Sequence, residues 1–193
     1  EQLGWKAPDR IFVSVGDGCI IGGLHKGLKD LLALNWIDKM PKLMGVQAAG
    51  SNYMYLAWKN KEDIITKSPI DAQTVADSIS VGLPRDRIKA LAAVNETGGA
   101  FVCVEDSEIL DAIPELARCT GVFAEPAGAA AYAGLVKAVE HQQVSGDEAI
   151  VVLNTGNGLK DVAGAMRAVD LANTQSFHVA PDLDALQQVV SKW

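Results

Sequence analysis

The 193-residue sequence predicts an α/β fold built on a parallel sheet, on three observations. A β-prone apolar run at 11–15 stops at Gly16 and gives way to apolar positions at helical spacing. A second short apolar run follows at 42–48, so strand, helix and strand succeed one another through short turns, the βαβ signature of parallel pairing. A third run, "EAIVVLNTGNG", again ends in a glycine-bearing turn.

The first five residues, "EQLGW", look like the tail of a helix already under way, and the chain starts at Glu1 rather than Met. Both features lead to the expectation of a piece of something longer. After the strand at 11–15, apolar positions 21, 24, 28, 31 and 32 predict an amphipathic helix from Ile20. "KLMGVQA" predicts the second strand, with "GSNYMYLAWKN" leaving it as helix or loop. Residues 71–80 are expected to form a helix after a loop, and "PRDRIKALAAVNET" another with Pro84 near its start. A strand at 100–104 leads into a helix capped by Asp106 or Ser107, with Ile109, Leu110, Ile113 and Leu116 on its apolar face. "EPAGAAAYAGLVKAVEHQQ" predicts a strong helix with Pro126 in its first turn, whose small residues allow close approach to a neighbour. A short C-terminal helix is expected from Pro181. There is no internal repeat, low-complexity tract or linker, so residues 1–193 are taken as one unit.

Composition narrows the function classes. An apolar fraction of 49% supports a filled core, and a net charge of −7 excludes the basic surface that nucleic acid requires. No apolar run approaches the roughly 20 residues of a membrane span. Cys19, Cys103 and Cys119 fall in no metal-ligand spacing, and the three histidines lie far apart, so no metal site is expected. Reduced thiols of this kind fit a cytoplasmic protein.

The turn "VGDGCIIGG" carries the first functional signal. A turn after a parallel strand lies at the carboxyl edge of the sheet, where open α/β folds place ligands. Glycines permit positive φ and close approach, and the following helix aims unpaired N–H groups at the same spot, which suits a phosphate. A nucleoside triphosphate would need Gly-Lys-Ser/Thr, which does not occur. A dinucleotide would need G-x-G-x-x-G, whereas Gly16, Gly18 and Gly22 run one residue out of step. A cofactor monophosphate and a plain tight turn remain. The second turn, "LNTGNGLKD", again follows an apolar strand, and two such turns could face one pocket.

In this order, "VGDGCIIGGLHKGLKDL", "GVQAAGS", "TVADSISVGLPRDRIKAL", "FAEPAGAAAYAGL" and "TGNGLKD" resemble the second half of the threonine synthases, members of the fold-type-II (tryptophan synthase β-like) pyridoxal-phosphate enzymes. The resemblance covers residues 1–168. It implies a three-layer parallel sheet flanked by helices, the C-terminal lobe of a longer enzyme, with pyridoxal 5′-phosphate as cofactor. By the resemblance, Gly16, Asp17, Gly18, Cys19 and Ile20 cradle the cofactor's phosphate. Many relatives carry Asn and Gly where this chain has Asp17 and Cys19, so Asp17 must turn outward or bond a neighbouring N–H to spare the phosphate its charge. Thr155 matches the position whose hydroxyl meets the pyridine nitrogen, leaving the ring largely neutral, which suits elimination and replacement over transamination. Glu125 aligns with a glutamate near the cofactor. Ser14 is read as a strand residue facing the neighbouring helix, with a minor phosphate contact as the alternative.

Such catalysis needs a lysine that forms a Schiff base with the cofactor. The family supplies it upstream of the first glycine turn, and no lysine here fits: Lys6 has the wrong flanks, Lys26 and Lys29 fall on a polar helix face, and Lys160 belongs to the second turn. The catalytic lysine is therefore expected outside this chain. The resemblance implies a parent enzyme, a carbon–oxygen lyase that converts O-phosphohomoserine and water to threonine and phosphate, acting as a homodimer on a small amino-acid substrate. The alternatives are a serine or threonine dehydratase, and a non-catalytic phosphate-binding half that completes its site with a partner chain.

Overall fold

The computed structural model describes residues 1–173 and 179–191. Four strands form one sheet: β1 (Arg10–Ser14), β2 (Lys42–Ala48), β3 (Ala100–Val104) and β4 (Ile150–Leu153), in the order β3-β2-β1-β4 with every pair parallel. The helices are α1 (Cys19–Ala33), α2 (Tyr53–Asn60), α3 (Arg87–Glu96), α4 (Asp106–Thr120), α5 (Pro126–Glu140), α6 (Val162–Leu171) and α7 (Leu183–Val190).

Alternation along the strands makes three layers. Phe12, Met44, Val46, Val102 and Val104 point to one face, where they pack with α4 and α5 residues such as Ile109, Leu110 and Ala130. Ile11, Val13, Leu43 and Phe101 point to the other, against Ile21 of α1, Tyr53 of α2 and Ala90 of α3. Burial on both faces is what parallel strands require, and it explains their near-continuous apolar runs. Helix α5 packs tightly on the sheet. A Cβ at Gly134 would come 2.3 Å from a methyl of Val46, so only glycine lets the helix sit there.

Several local expectations are corrected by tertiary contacts. Residues 71–80 are extended, with one 3-10 turn at Asp77–Ile79, instead of helical. Their backbone donors are committed elsewhere, Gln73 N–H to Gly50 O at 2.8 Å and Val75 N–H to the Asp106 carboxylate at 3.0 Å, and just before them Ile70 N–H donates to Gly82 O at 3.0 Å. Asp106 is thus occupied with this segment, and α4 is capped by Glu105, whose N–H donates to Glu108 in a capping box. Helix α3 begins beyond Pro84, at Arg87. Residues 2–5 form turns, with Gly4 and Trp5 both in the left-handed region, so "EQLGW" is no helix tail. Helix α7 begins at Leu183 behind an Asp182 cap, whose carboxylate accepts from Ala185 N–H. Helix α6, absent from the sequence reading, begins where Asp161 accepts from Gly164 N–H at 2.9 Å.

At the amino edge of the sheet, the guanidinium of Arg10 clamps the carboxylate of Glu148, tying β1 to the approach to β4. The Arg10 hydrogen bond holds the Glu148 carboxyl below its ordinary range. A lowered folded pKa means that the pair stabilises fully above the unfolded glutamate value, about 4.3, and that this stability is lost as pH falls through the lowered folded value. Glu148→Gln is therefore expected to lower the urea midpoint at pH 7. The gap from wild type should shrink as the pH drops below about 4, because protonated Glu148 and Gln are then nearly equivalent.

Candidate functional site

Register decides what shares the carboxyl edge. Strand β1 pairs with β4 with Val13 opposite Leu153, so the turn leaving β1 at Val15–Gly18 and the turn leaving β4 at 154–158 emerge side by side. Both glycine turns of the sequence thus open at one edge of one sheet, on neighbouring strands.

The first turn is shaped by packing as much as by ligand geometry. Gly18, the residue before α1, has φ +91°, which excludes most side chains, and a Cβ there would also press on Ala90 at 2.8 Å. Gly16 is required for a different reason: a Cβ would stand 2.9 Å from the Cα of Ile79, in the 3-10 turn that crosses this edge. Helix α1 carries no side-chain cap and no acidic residue in its first turn, and its ladder starts with Gly22 N–H donating to Gly18 O at 3.1 Å. The N–H groups of Cys19, Ile20 and Ile21 precede that bond, so they have no intrahelical acceptor and carry the positive end of the helix dipole. Ile20 is exposed, leaving this helix end open to solvent.

The two charged or reactive groups of the turn are held in place. Asp17 accepts from Arg85 N–H through its carboxylate and from Asp86 N–H through its carbonyl, both at 2.9 Å, which commits its charge to the start of α3. The Cys19 thiol, though exposed, is pushed up from its ordinary pKa, first by its hydrogen bond to the Asp86 carboxylate and then by some loss of hydration. It stays a protonated thiol rather than a thiolate that would repel an anion.

The second turn is held from α5. Glu125 precedes that helix, donates its N–H to Gly156 O at 2.9 Å and has its carboxylate over the Gly156 backbone, where a Cβ would come 1.9 Å from Oε1. Gly158 N–H donates back to Phe123 O at 3.0 Å, and Ala124 bridges Asn157 in antiparallel fashion. Glu125 is 5% exposed, and Lys160 reaches its carboxylate at 3.2 Å. Thr155, at the crest of the turn, is exposed.

The residues singled out from sequence therefore fall in one region: Gly16, Asp17, Gly18, Cys19 and Ile20 in the first turn, Thr155 and Glu125 in or against the second. Sequence reasoning missed the segment that joins them. Ser51, fully buried, donates to Ile79 O and accepts from Val81 N–H, each at 2.9 Å, and so fastens residues 79–81 across the edge. Among the described residues two buried polar atoms lack a protein partner, Ser14 Oγ and Asn154 Nδ2, carried at the ends of β1 and β4; Ser14 was weighed from sequence, Asn154 was not. Ser14 faces the α5 layer, with Phe12. The only available signal for these was a polar residue closing an apolar strand.

The lysines weighed from sequence are accounted for. Lys6 lines a groove with Lys39 and Ala149 at the opposite, amino edge. Lys26 pairs with Asp30, and Lys29 with Glu96, both on the outer surface of α1. Lys160 is engaged by Glu125 and Ser78.

A family model described as pyridoxal-phosphate dependent enzyme matches residues 1–156. The chain is 37% identical over 194 residues to a threonine synthase of Methanocaldococcus jannaschii, covering 100% of this chain and 46% of that protein. It is also 37% identical over 190 residues to one from Methanosarcina acetivorans, covering 98% and 46%. The chain thus spans about half the length of the curated relatives it matches. Among solved structures, the processed form of threonine deaminase isoform 2 from Solanum lycopersicum superposes with a TM-score of 0.68 at 24% identity, over 86% of this chain and 44% of that one. A fungal L-serine ammonia-lyase from Rhizomucor miehei gives 0.68 at 22%, over 88% and 51%.

Two glycines of the first turn and helix separate packing from propensity. Gly16→Ala must displace backbone at Ile79 and is expected to lower the melting temperature of the native protein by several degrees. Gly23→Ala, on α1 with nothing within 4 Å of a new Cβ, should leave it unchanged or raise it, by up to about 1 kcal/mol of helix propensity.

Proposed function

The chain belongs to the pyridoxal-phosphate dependent enzyme family, with the three-layer α/β architecture of its fold-type-II members, and from that premise we propose that it is the C-terminal, phosphate-gripping portion of a threonine synthase. The reaction of the parent enzyme is the conversion of O-phosphohomoserine and water to threonine and phosphate. The observation that carries the reading is the emergence of both glycine turns at one edge of adjacent parallel strands. The choice of reaction is supported by the threonine synthases that match this chain from end to end or nearly so.

The residues present fit the family's cofactor, pyridoxal 5′-phosphate. Its phosphate is a dianion near neutral pH, and the open N–H groups of Cys19, Ile20 and Ile21 at the uncapped, solvent-facing end of α1 supply donors and a favourable dipole. The Asp17 carboxylate is held by Arg85 N–H, which lessens its repulsion of that charge. Gly16 and Gly18 let the turn lie flat against Ile79 and Ala90, so that no side chain from either stands over the helix end. At the other end of the site the exposed Thr155 hydroxyl would serve the ring nitrogen as an uncharged donor, which would keep the ring largely neutral. Glu125 acts on that group through the backbone of Gly156. When bound, the cofactor would supply an electron sink for negative charge developing on the substrate, the chemistry that loss of phosphate from the γ carbon and addition of water at the β carbon require.

The chain taken alone is inactive on this reading, because Lys160, the lysine placed at this edge, is engaged by Glu125 and Ser78, and Lys6, Lys26 and Lys29 lie elsewhere. The lysine that bonds the cofactor covalently and many of the groups that grip the substrate's distal phosphate come from the remainder of the parent enzyme, which acts as a homodimer in the cytoplasm. Among the described residues no helix is long and apolar enough to cross a membrane.

The native full-length protein is given O-phosphohomoserine and L-threonine separately. The expected result is equimolar threonine and inorganic phosphate from the first and no 2-oxobutanoate from the second. Release of 2-oxobutanoate from threonine, with no phosphate from O-phosphohomoserine, would make the parent a dehydratase. The isolated chain mixed with pyridoxal phosphate and borohydride is expected to give no adduct at a single lysine.

A further inference from the structure

Between the two turns lies a cation that neither turn needs for its own backbone geometry. Lys160 closes the 3-10 turn Gly158–Lys160 that follows Thr155, and its ammonium donates to Ser78 Oγ at 2.7 Å and to the Glu125 carboxylate at 3.2 Å. Ser78 belongs to the 3-10 turn whose next residue, Ile79, abuts Gly16. Glu125 holds Gly156 O through its N–H. One side chain therefore links the segment packed on the first turn to the residue that anchors the second.

The pair differs from an ordinary surface ion pair. The Glu125 side chain is 7% exposed, so its charge has lost most of its water and depends on protein partners, whereas Lys160 is 60% exposed and gives up little hydration to serve it. An exposed lysine would normally contribute almost nothing by such a contact. Here it is tethered at both ends of a gap, and what it fixes is a distance.

We propose that Lys160 is a positioning residue: through Ser78 and Glu125 it sets the separation between the glycine turn that takes the cofactor's phosphate and the Thr155 hydroxyl that meets the ring nitrogen. The inference rests on the reading of this edge as the cofactor site. A ligand held at two points gains from their preset spacing, because ordering has been completed before it binds. Without Lys160 each grip survives but the spacing loosens. A ligand spanning both then loses affinity, while inorganic phosphate, which touches the first turn alone, does not.

The test uses the native full-length protein stripped of cofactor, titrated separately with pyridoxal phosphate and, by competition, with inorganic phosphate. Lys160→Met and the double variant Lys160→Met/Glu125→Gln, which leaves no unpaired buried carboxylate, are both expected to bind pyridoxal phosphate about tenfold more weakly, equivalent to about 1.4 kcal/mol. Their affinity for inorganic phosphate should match wild type, and Lys160→Arg should restore most of the lost affinity. Unchanged affinity for pyridoxal phosphate in both Met variants would overturn the inference while leaving the cofactor reading intact. Equal weakening toward both ligands would reduce Lys160 to a structural support and overturn it likewise. A wild-type protein that takes up no pyridoxal phosphate would remove the site reading itself, and the inference with it. A borohydride-reduced adduct at Lys160 would assign it the covalent role instead.

Discussion

The central constraint is the parallel pairing of β1 with β4. Because both strands run the same way and Val13 stands opposite Leu153, the chain must leave each strand at the same edge and at the same height. Everything proposed about function follows from that adjacency. Had β4 been antiparallel, the turn bearing Thr155 would begin at the far edge, about 4 residues or roughly 13 Å away at strand rise. The pairing in turn depends on two-sided burial: α5 must press close enough on one face, and α1 to α3 on the other, for short apolar strands to be covered. The glycine at position 134, against Val46, shows how little clearance that requires.

The edge so created is not a bare rim. Residues 70–82 cross it as an extended segment, fastened by Gly50, Ser51 and Asp106, and they fill the space against Gly16. This segment accounts for two features that a ligand alone does not explain. Gly16 is needed by Ile79 and not for unusual backbone angles, since only Gly18 in that turn has positive φ. The carboxylate of Asp17, which sits awkwardly beside a phosphate, serves as an acceptor at the start of α3. Phosphate binding and packing thus share residues, and the open N–H groups of α1 are what packing leaves to the ligand.

Legibility followed the range of the interactions. The strands and helices α1, α4 and α5 could be read because their periodicity and terminal Gly or Pro are local signals that tertiary contacts reinforce. The segment 71–80 misled because its composition is compatible with helix, while the carboxylate of Asp106 and the carbonyl of Gly50, distant in sequence, take up its backbone donors. Helix α6 was not legible because its start depends on the Asp161 cap, which directly follows a glycine turn and leaves no local stop-and-start signal between the two. The site residues Gly16, Gly18, Thr155 and Glu125 were legible as three short motifs, and the convergence of the two glycine turns was expected from their place after parallel strands; the strand order that makes β1 and β4 neighbours was not, since nothing in these motifs encodes it. Lys160, Ser78 and the unpartnered Ser14 and Asn154 acquire meaning only once that order is known.

The most direct measurement is a crystal structure of the native full-length protein with pyridoxal 5′-phosphate. The phosphate oxygens are expected within hydrogen-bonding distance of the N–H groups of Cys19 and Ile20, and the ring nitrogen beside the hydroxyl of Thr155. A phosphate seated instead among Lys26, Lys29 and Lys89 in the groove between α1 and α3, with Thr155 facing solvent, would contradict it.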